Sequence, residues 1–443
     1  MGEDRQGCRR TCRLDEARIR HVESAQQWKM TMDSASLPLE GLRVLDLSRV
    51  LAGPLASQML GDLGAEVIKI ERPGAGDDSR QYGGRPFIDI GDGEEKGLSS
   101  FFASANRNKK SVTIDISRPA GQALVLALAS KSDVLIENYR VGGLARFGLD
   151  YESVRRVRPD IIYCSITGYG QTGPYRDQPG YDGIFQAQCG MMSVTGYPDD
   201  HPKGEALRAG PGIVDVSGSL YAGIAIIGAL YGRDASGQKG RHIDLGLLDC
   251  GVALMSHAAQ TYLASGHPPP RRGNAGPGGV PSDAFRCKDS SIMIVVGNNE
   301  QFVRLCDVLG LPDLSHHPDY CTTELRIKNR KFLDAIIASV FVTKPAAEWL
   351  ERLVAAEVPA GLINDLAMTF KDPQVIHRQM ERRVTSPKGV SFCVVGSPIR
   401  YVGAGTPHYE PPPTLGQHTD EVLTGLLGIG LEQLAELKSS GIL

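Results

Sequence analysis

From Leu42 onward, short apolar runs alternate with amphipathic ones. LRVLDL (42–47) has the length and apolar content of a strand, GPLASQMLGDLG (53–64) has helical spacing, and AEVIKIE (65–71) predicts a second strand. SVTIDI (111–116) predicts a third, followed by Ser117 as N-cap and a helix with Pro119 in its first turn. DVLIEN (133–138) reads as a strand, YESVRRVRP as a helix closed by Pro159, and IIYCSITG (161–168) as another strand. Apolar strands alternating with helices predict a parallel α/β sheet whose ligands bind at the strand C-terminal ends.

Leu220–Tyr231 predicts a buried helix. Beyond about 233 the pattern mixes a Gly/Pro-rich loop (266–283), a strand (SIMIVVG) and a helix (EQFVRLCDVLG), as in a second, smaller unit. Thr343-Lys344-Pro345 opens a helix, AAEWLERLVAA; strands around SFCVV, a Pro break at 411–413 and final helices complete the chain. Residues 1–36 break the pattern. They carry seven Lys/Arg and six Asp/Glu with little periodicity, so they fit neither an acid-poor transit peptide nor an apolar signal. They are expected to be a disordered or targeting extension.

Composition narrows the function classes. In 443 residues, 48 Lys plus Arg face 51 Asp plus Glu, a formal charge of -3. That balance creates no global basic field for nucleic acid or an anionic membrane. No apolar run approaches the ~20 residues of a spanning helix, so no membrane partner is expected. The nine cysteines are scattered and form no zinc-ligand spacing, which predicts reduced thiols, no metal and no secretion. The 52 glycines and 27 prolines imply many tight turns and close backbone approaches.

GYGQTG (168–173) matches a dinucleotide fingerprint in letters and follows a strand, but Pro174 and Pro179 forbid the helix that motif must open. Polar residues gather near predicted strand ends: Arg72, Lys109, Lys110, Asn138, Tyr139 and Arg146. Four cations there suit a phosphate-bearing ligand, although exposed sheet ends carry such residues in any case. Asp215 lies between a glycine-rich turn and an apolar helix. It is read either as a helix cap or as a carboxylate nucleophile, and composition does not separate the two. His316-His317 and His418 have no partners at ligand spacing, and His418 is read as a helix-entry residue.

The segments PLEGLRVLDLSRVLAGPLASQMLGDLGAEVIKIERPGAGDDSR, NRNKKSVTIDI, IENYRVGGLARFGL, CSITGYGQTGP and PGYDGIFQAQCG occur in an order and spacing that resembles the family III CoA-transferases. The resemblance runs from about Leu37 to the last helices. CSITGYGQTGP, GNNEQF, LRIKNRK, DPQVIHRQ and PPPTLGQHT are most similar to the branch that moves CoA between succinate and glutarate. It implies a large Rossmann-like domain built from 37–232 and 346–443, a smaller α+β domain at 233–345, and an intertwined homodimer. It also implies reversible CoA transfer between dicarboxylic acids, with acyl-CoA as substrate and no permanently bound cofactor. Asp215, in VDVSG, matches the family's catalytic carboxylate, which passes through an aspartyl-CoA thioester.

Leu51, Ala52, Arg72, Ile114, Asn138, Tyr139 and Arg146 match its CoA contacts. Gly276, Gly278 and Gly279 match a glycine lid over the aspartate, here interrupted by Pro277. Tyr181 and Asp182 fall in the acyl pocket. The sister racemases, which epimerise 2-methylacyl-CoA, carry a catalytic histidine where this chain has Tyr181, so one acid/base partner is missing. A racemase and a CoA-binding protein without turnover are the competing readings. The compartment implied is mitochondrial for a eukaryotic source and cytoplasmic for a bacterial one.

Overall fold

A computed structural model describes residues 37–82, 88–91, 97–237, 239–402 and 409–443. The extension at 1–36, with Cys8 and Cys12, lies outside them. Six strands form one parallel sheet: β1 (Arg43–Asp46), β2 (Glu66–Glu71), β3 (Lys109–Thr113), β4 (Val134–Glu137), β5 (Ile162–Thr167) and β6 (Arg241–Gly246). Their spatial order is β3-β2-β1-β4-β5-β6, so the winding reverses between β1 and β4. The continuous apolar runs of β1, β4 and β5 are those of strands covered on both faces.

Helices cover both faces. α1 (Ala52–Asp62) follows β1; α2 (Pro119–Ser130) and α3 (Tyr151–Val157) flank β4; α4 (Asp182–Gln188) and the long α5 (Ile213–Ser236) join β5 to β6. One apolar layer packs α2, α3 and the C-terminal residues Val422, Leu423, Leu434 and Ile442 on the sheet. The other packs α1 and α5 through Ala56, Leu60, Val214, Ala222 and Ile226. Arg118, not Ser117, is the N-cap of α2, and it makes no side-chain cap bond. Ser117 Oγ is spent on Asp115 at 2.6 Å.

β6 lies in the large sheet, so the large unit extends past the expected boundary at 232, and α6 (Leu247–Leu254) continues it. The smaller unit has its own core from Val280 to Leu362. It contains β7 (Ser282–Arg286), β8 (Ser291–Val295) and β9 (Ala360–Leu362), an antiparallel sheet under α7 (Asn299–Leu309), α8 (Arg330–Phe341) and α9 (Ala346–Ala355). Trp349 on α9 belongs to that core, so the chain returns to the large unit after 362 rather than at 346.

α5 is long and apolar enough to cross a bilayer by length and composition alone. Its inner face, however, packs on α1 and the sheet. The expectation of a buried helix fails on the opposite face, where Leu220, Ile224, Ile227 and Tyr231 are exposed. Their spacing of four, three and four residues forms one stripe, and none of the described residues covers it.

Candidate active site

At the reversal between β1 and β4, the loop leaving β1 is fixed by side chains from three other segments. Lys69 Nζ donates to Ser48 O at 2.8 Å. Asn138 accepts from Arg49 N at 2.8 Å and donates to Arg49 O at 2.7 Å. Val50 N donates to both Asp77 carboxylate oxygens, at 3.1 and 3.2 Å. Asp77 and Lys69 are themselves a fully buried ion pair at 2.9 Å. Val50 is held at φ 71°, a left-handed conformation that a β-branched residue rarely adopts. At Gly53, a Cβ would come within 2.3 Å of Ser48 Cβ, so only glycine allows α1 to start this close to the loop.

Two adjoining clefts open at this point, with Arg49, Asp78 and Tyr139 common to both. The first, about 580 Å³, is lined by Arg72, Ile114 and Arg146. The second, about 300 Å³, is lined by Leu51, Ala52, Asn138, Tyr181 and Asp215. Residues from separate sequence motifs thus converge on the carboxyl ends of the strands, as the α/β pattern predicts. The Asn138 amide is committed to the Arg49 backbone, so it shapes the cleft rather than offering a free hydrogen bond.

Two of the four expected cations are elsewhere. Lys109 starts β3 and is fully buried, bonded to Asp46, Pro54 O and Asn106. Lys110 pairs with Glu66 and Glu421. Both serve the fold, and Arg72 and Arg146 remain at the cleft.

Asp215 stands in the first turn of α5. Gly212, the N-cap, gives no side-chain bond. Asp182 takes that role from the first turn of α4: its Oδ1 accepts from Val214 N at 2.8 Å and from Asp215 N at 3.3 Å, while Oδ2 accepts from Gln186 at 2.6 Å. Burial, and after it the charge of Asp182, push the Asp215 carboxyl up to about 7. Tyr181, just before Asp182, is largely exposed at the mouth.

The glycine loop does not line either cleft. Gly276 N donates to Ser282 O at 2.9 Å, and Arg330 donates to Gly276 O at 2.8 Å. At Gly279 a Cβ would lie 2.0 Å from Val296 O, whereas at Gly278 it would meet nothing within 4 Å. The loop is therefore seated on the smaller unit's sheet, not over Asp215. GYGQTG opens no helix: the next helical residue after β5 is Asp182. His418 Nδ1 accepts from Ser111 N at 3.2 Å at the entry to the helix Thr419–Leu427, away from the clefts.

The family profile for CoA-transferase family III matches residues 39–419. The chain belongs to the family III CoA-transferases. It is 42% identical over 405 residues to the human succinyl-CoA:glutarate CoA-transferase, covering 91% of this chain and 90% of that one. It is 40% identical to the succinate–glutarate CoA-transferase of Agrobacterium fabrum, covering 89% and 97%. A crystal structure of a CAIB/BAIF family protein from Brucella suis superposes with a TM-score of 0.79 at 39% identity, covering 88% of this chain and all of that one. The protein is thus an enzyme of the transferase type, with a CoA thioester as substrate.

In this CoA-transferase Arg49, Lys69 and Asp77 stand beside the cleft without being among the candidate site residues singled out above. Arg49 follows the first strand in DLSRVLAGP, where a βα turn at the winding reversal meets its ligand, and that position was the available signal. Lys69 inside an apolar strand was a second one, because a lysine there needs a buried partner.

Proposed function

We propose that this CoA-transferase moves CoA from succinyl-CoA to glutarate, or to a dicarboxylate of similar length, through covalent catalysis by Asp215. The observation that carries the reading is a half-buried carboxyl in a cleft, destabilised as an anion by burial and by Asp182. An anion so placed is more basic than an ordinary carboxylate, and it loses its unfavourable charge on being acylated.

The Asp215 carboxylate attacks the succinyl thioester carbonyl and expels CoA thiolate, leaving a succinyl–aspartyl anhydride. The thiolate attacks the aspartyl carbonyl of that anhydride, releasing succinate and forming an aspartyl-CoA thioester. Glutarate attacks the thioester and expels CoA thiolate again. The thiolate then takes the glutaryl carbonyl, giving glutaryl-CoA and regenerating Asp215. Every intermediate is an acyl derivative of comparable energy, and the protein's task is to exclude water from the anhydride. Arg72 and Arg146, both exposed beside the first cleft, suit the phosphates of CoA. The relatives' names supply the succinate and glutarate pair. Tyr181, where the racemases carry histidine, argues against α-proton removal.

The same reading includes a homodimer, favoured by the uncovered stripe on α5. The test mixes the enzyme with succinyl-CoA and glutarate and follows glutaryl-CoA by mass. Hydroxylamine added during turnover should leave a hydroxamate on the peptide containing Asp215. Absence of exchange with every dicarboxylate pair would overturn the proposal.

A further inference from the structure

If Asp215 attacks dicarboxylic acyl-CoA, its cleft must hold a second carboxylate, the one at the far end of the acyl chain, close to an anionic nucleophile. A cation fixed in that cleft is the chemistry required. Arg49, Arg140 and Arg176 line it. Arg140 is exposed, and Arg176 is exposed and, among the described residues, its side chain pairs with its neighbour Asp177 at 3.4 Å. Arg49 differs in how it is held. Its backbone N–H and C=O are both taken by Asn138, the preceding carbonyl by Lys69 and the following N–H by Asp77. Its guanidinium lies 5.1 Å from the centroid of the Tyr139 ring. The loop's strained Val50 shows that several buried groups enforce one conformation, which fixes where the Arg49 side chain starts. The guanidinium's only carboxylate partner among the described residues is Asp78, at 3.1 Å, with both side chains nearly half exposed. A pair that open to water contributes little and can be exchanged for a substrate carboxylate.

We propose that Arg49 recognises the remote carboxylate of the dicarboxylic acyl group and so sets the preference for dicarboxylic over monocarboxylic substrates, with Asp78 holding the guanidinium until substrate displaces it. This rests on the transferase reading above.

The test compares affinities for succinyl-CoA and butyryl-CoA, which share CoA and chain length but differ in the terminal carboxylate. Both are titrated by calorimetry into the full-length Asp215→Ala protein, so that no turnover intervenes. Adding Arg49→Gln should weaken succinyl-CoA by roughly 10- to 100-fold while butyryl-CoA changes less than about twofold. Arg49→Lys should restore part of the loss. Asp78→Asn, made alone in the same background, should tighten succinyl-CoA and leave butyryl-CoA unchanged. Equal weakening of both ligands by Arg49→Gln would make Arg49 a contact to CoA itself and overturn the proposal, as would no change in either. Succinyl-to-glutaryl exchange by the unsubstituted enzyme, assayed in parallel, tests the parent reading separately. Exchange with an unaltered affinity ratio overturns this proposal alone.

Discussion

The carboxylate of Asp182 accepts a hydrogen bond from the backbone N–H of Asp215 at 3.3 Å, so one acid positions the other while repelling its charge. Capping and electrostatic activation come from a single side chain. On the proposed mechanism Asp215 attacks only when ionised, so kcat/KM should rise with pH through about 7, where burial and Asp182 have pushed its carboxyl. Asp182→Asn keeps an oxygen for the helix cap but removes the negative charge. The acid limb of the pH profile should therefore move to lower pH, toward the ordinary carboxylate range. An unmoved limb would show that Asp182 does not act on Asp215 through charge.

Asp215→Ala should lower kcat by at least about a thousandfold, because the other carboxylates lining that cleft, Asp78 and Asp177, are paired with Arg49 and Arg176. CoA affinity should change little, since the proposed phosphate contacts, Arg72 and Arg146, lie in the neighbouring cleft. A parallel loss of CoA binding would mean that the substitution disturbs the α5 terminus rather than the chemistry.

The glycines of the expected lid separate into two kinds. Gly279 lies against the backbone of Val296 and Gly297, with Val296 O 2.0 Å from where a Cβ would stand, so Gly279→Val should cost about 3 kcal/mol or more in urea unfolding. Gly278 faces open space, and Gly278→Ala should leave stability within about 0.5 kcal/mol. If the loop closes over Asp215 during turnover, Gly278→Ala should still lower kcat. Unchanged kcat would remove Gly278 from any part in closure.

Glu137 ends β4 beneath Tyr139, whose N–H it accepts at 2.8 Å, and burial pushes its carboxyl up to about 7. In the unfolded chain it titrates near 4.5. Between those values the folded state keeps a proton that the unfolded state releases. Stability from this group is therefore complete below about pH 4.5 and is lost as pH rises through 7, by about 3 kcal/mol in all. Asp215 adds a slope of the same sign. Glu137→Gln should flatten the pH 5–8 dependence of the urea midpoint; an unchanged slope would place its source elsewhere.

How much of this was legible in the sequence depended on whether local pattern carried the information. β1, β2, β4 and β5 lie inside the sheet, so their runs are mostly apolar and readable. β6 reads Arg-His-Ile-Asp-Leu-Gly because it is the sheet's edge, and it was not recognised as part of that sheet. Lys109 resembled a surface cation until its buried partner Asp46, 63 positions away, came into view. Asp215 could be located from its motif, but its coupling to Asp182 spans 33 positions and needs the fold. The α5 stripe misled for the opposite reason: apolar spacing alone does not say what lies against each face of a helix.

That stripe gives the last test. Leu220, Ile224, Ile227 and Tyr231 repeat on one side of α5, and Val252, Tyr262 and Leu263 on the helices after β6 are exposed as well. A surface this apolar outside the core is the mark of an interface, and a second copy of the chain is the partner this reading names. Light scattering should give a mass near twice 47.7 kDa for the unaltered protein. Ile224→Asp places a charge at the exposed centre of the stripe, where the single chain tolerates it and a buried interface does not. It should shift the mass toward one chain while far-UV circular dichroism stays native. An unaltered protein that is monomeric at micromolar concentration, or an Ile224→Asp variant that stays dimeric, would move the interface off α5.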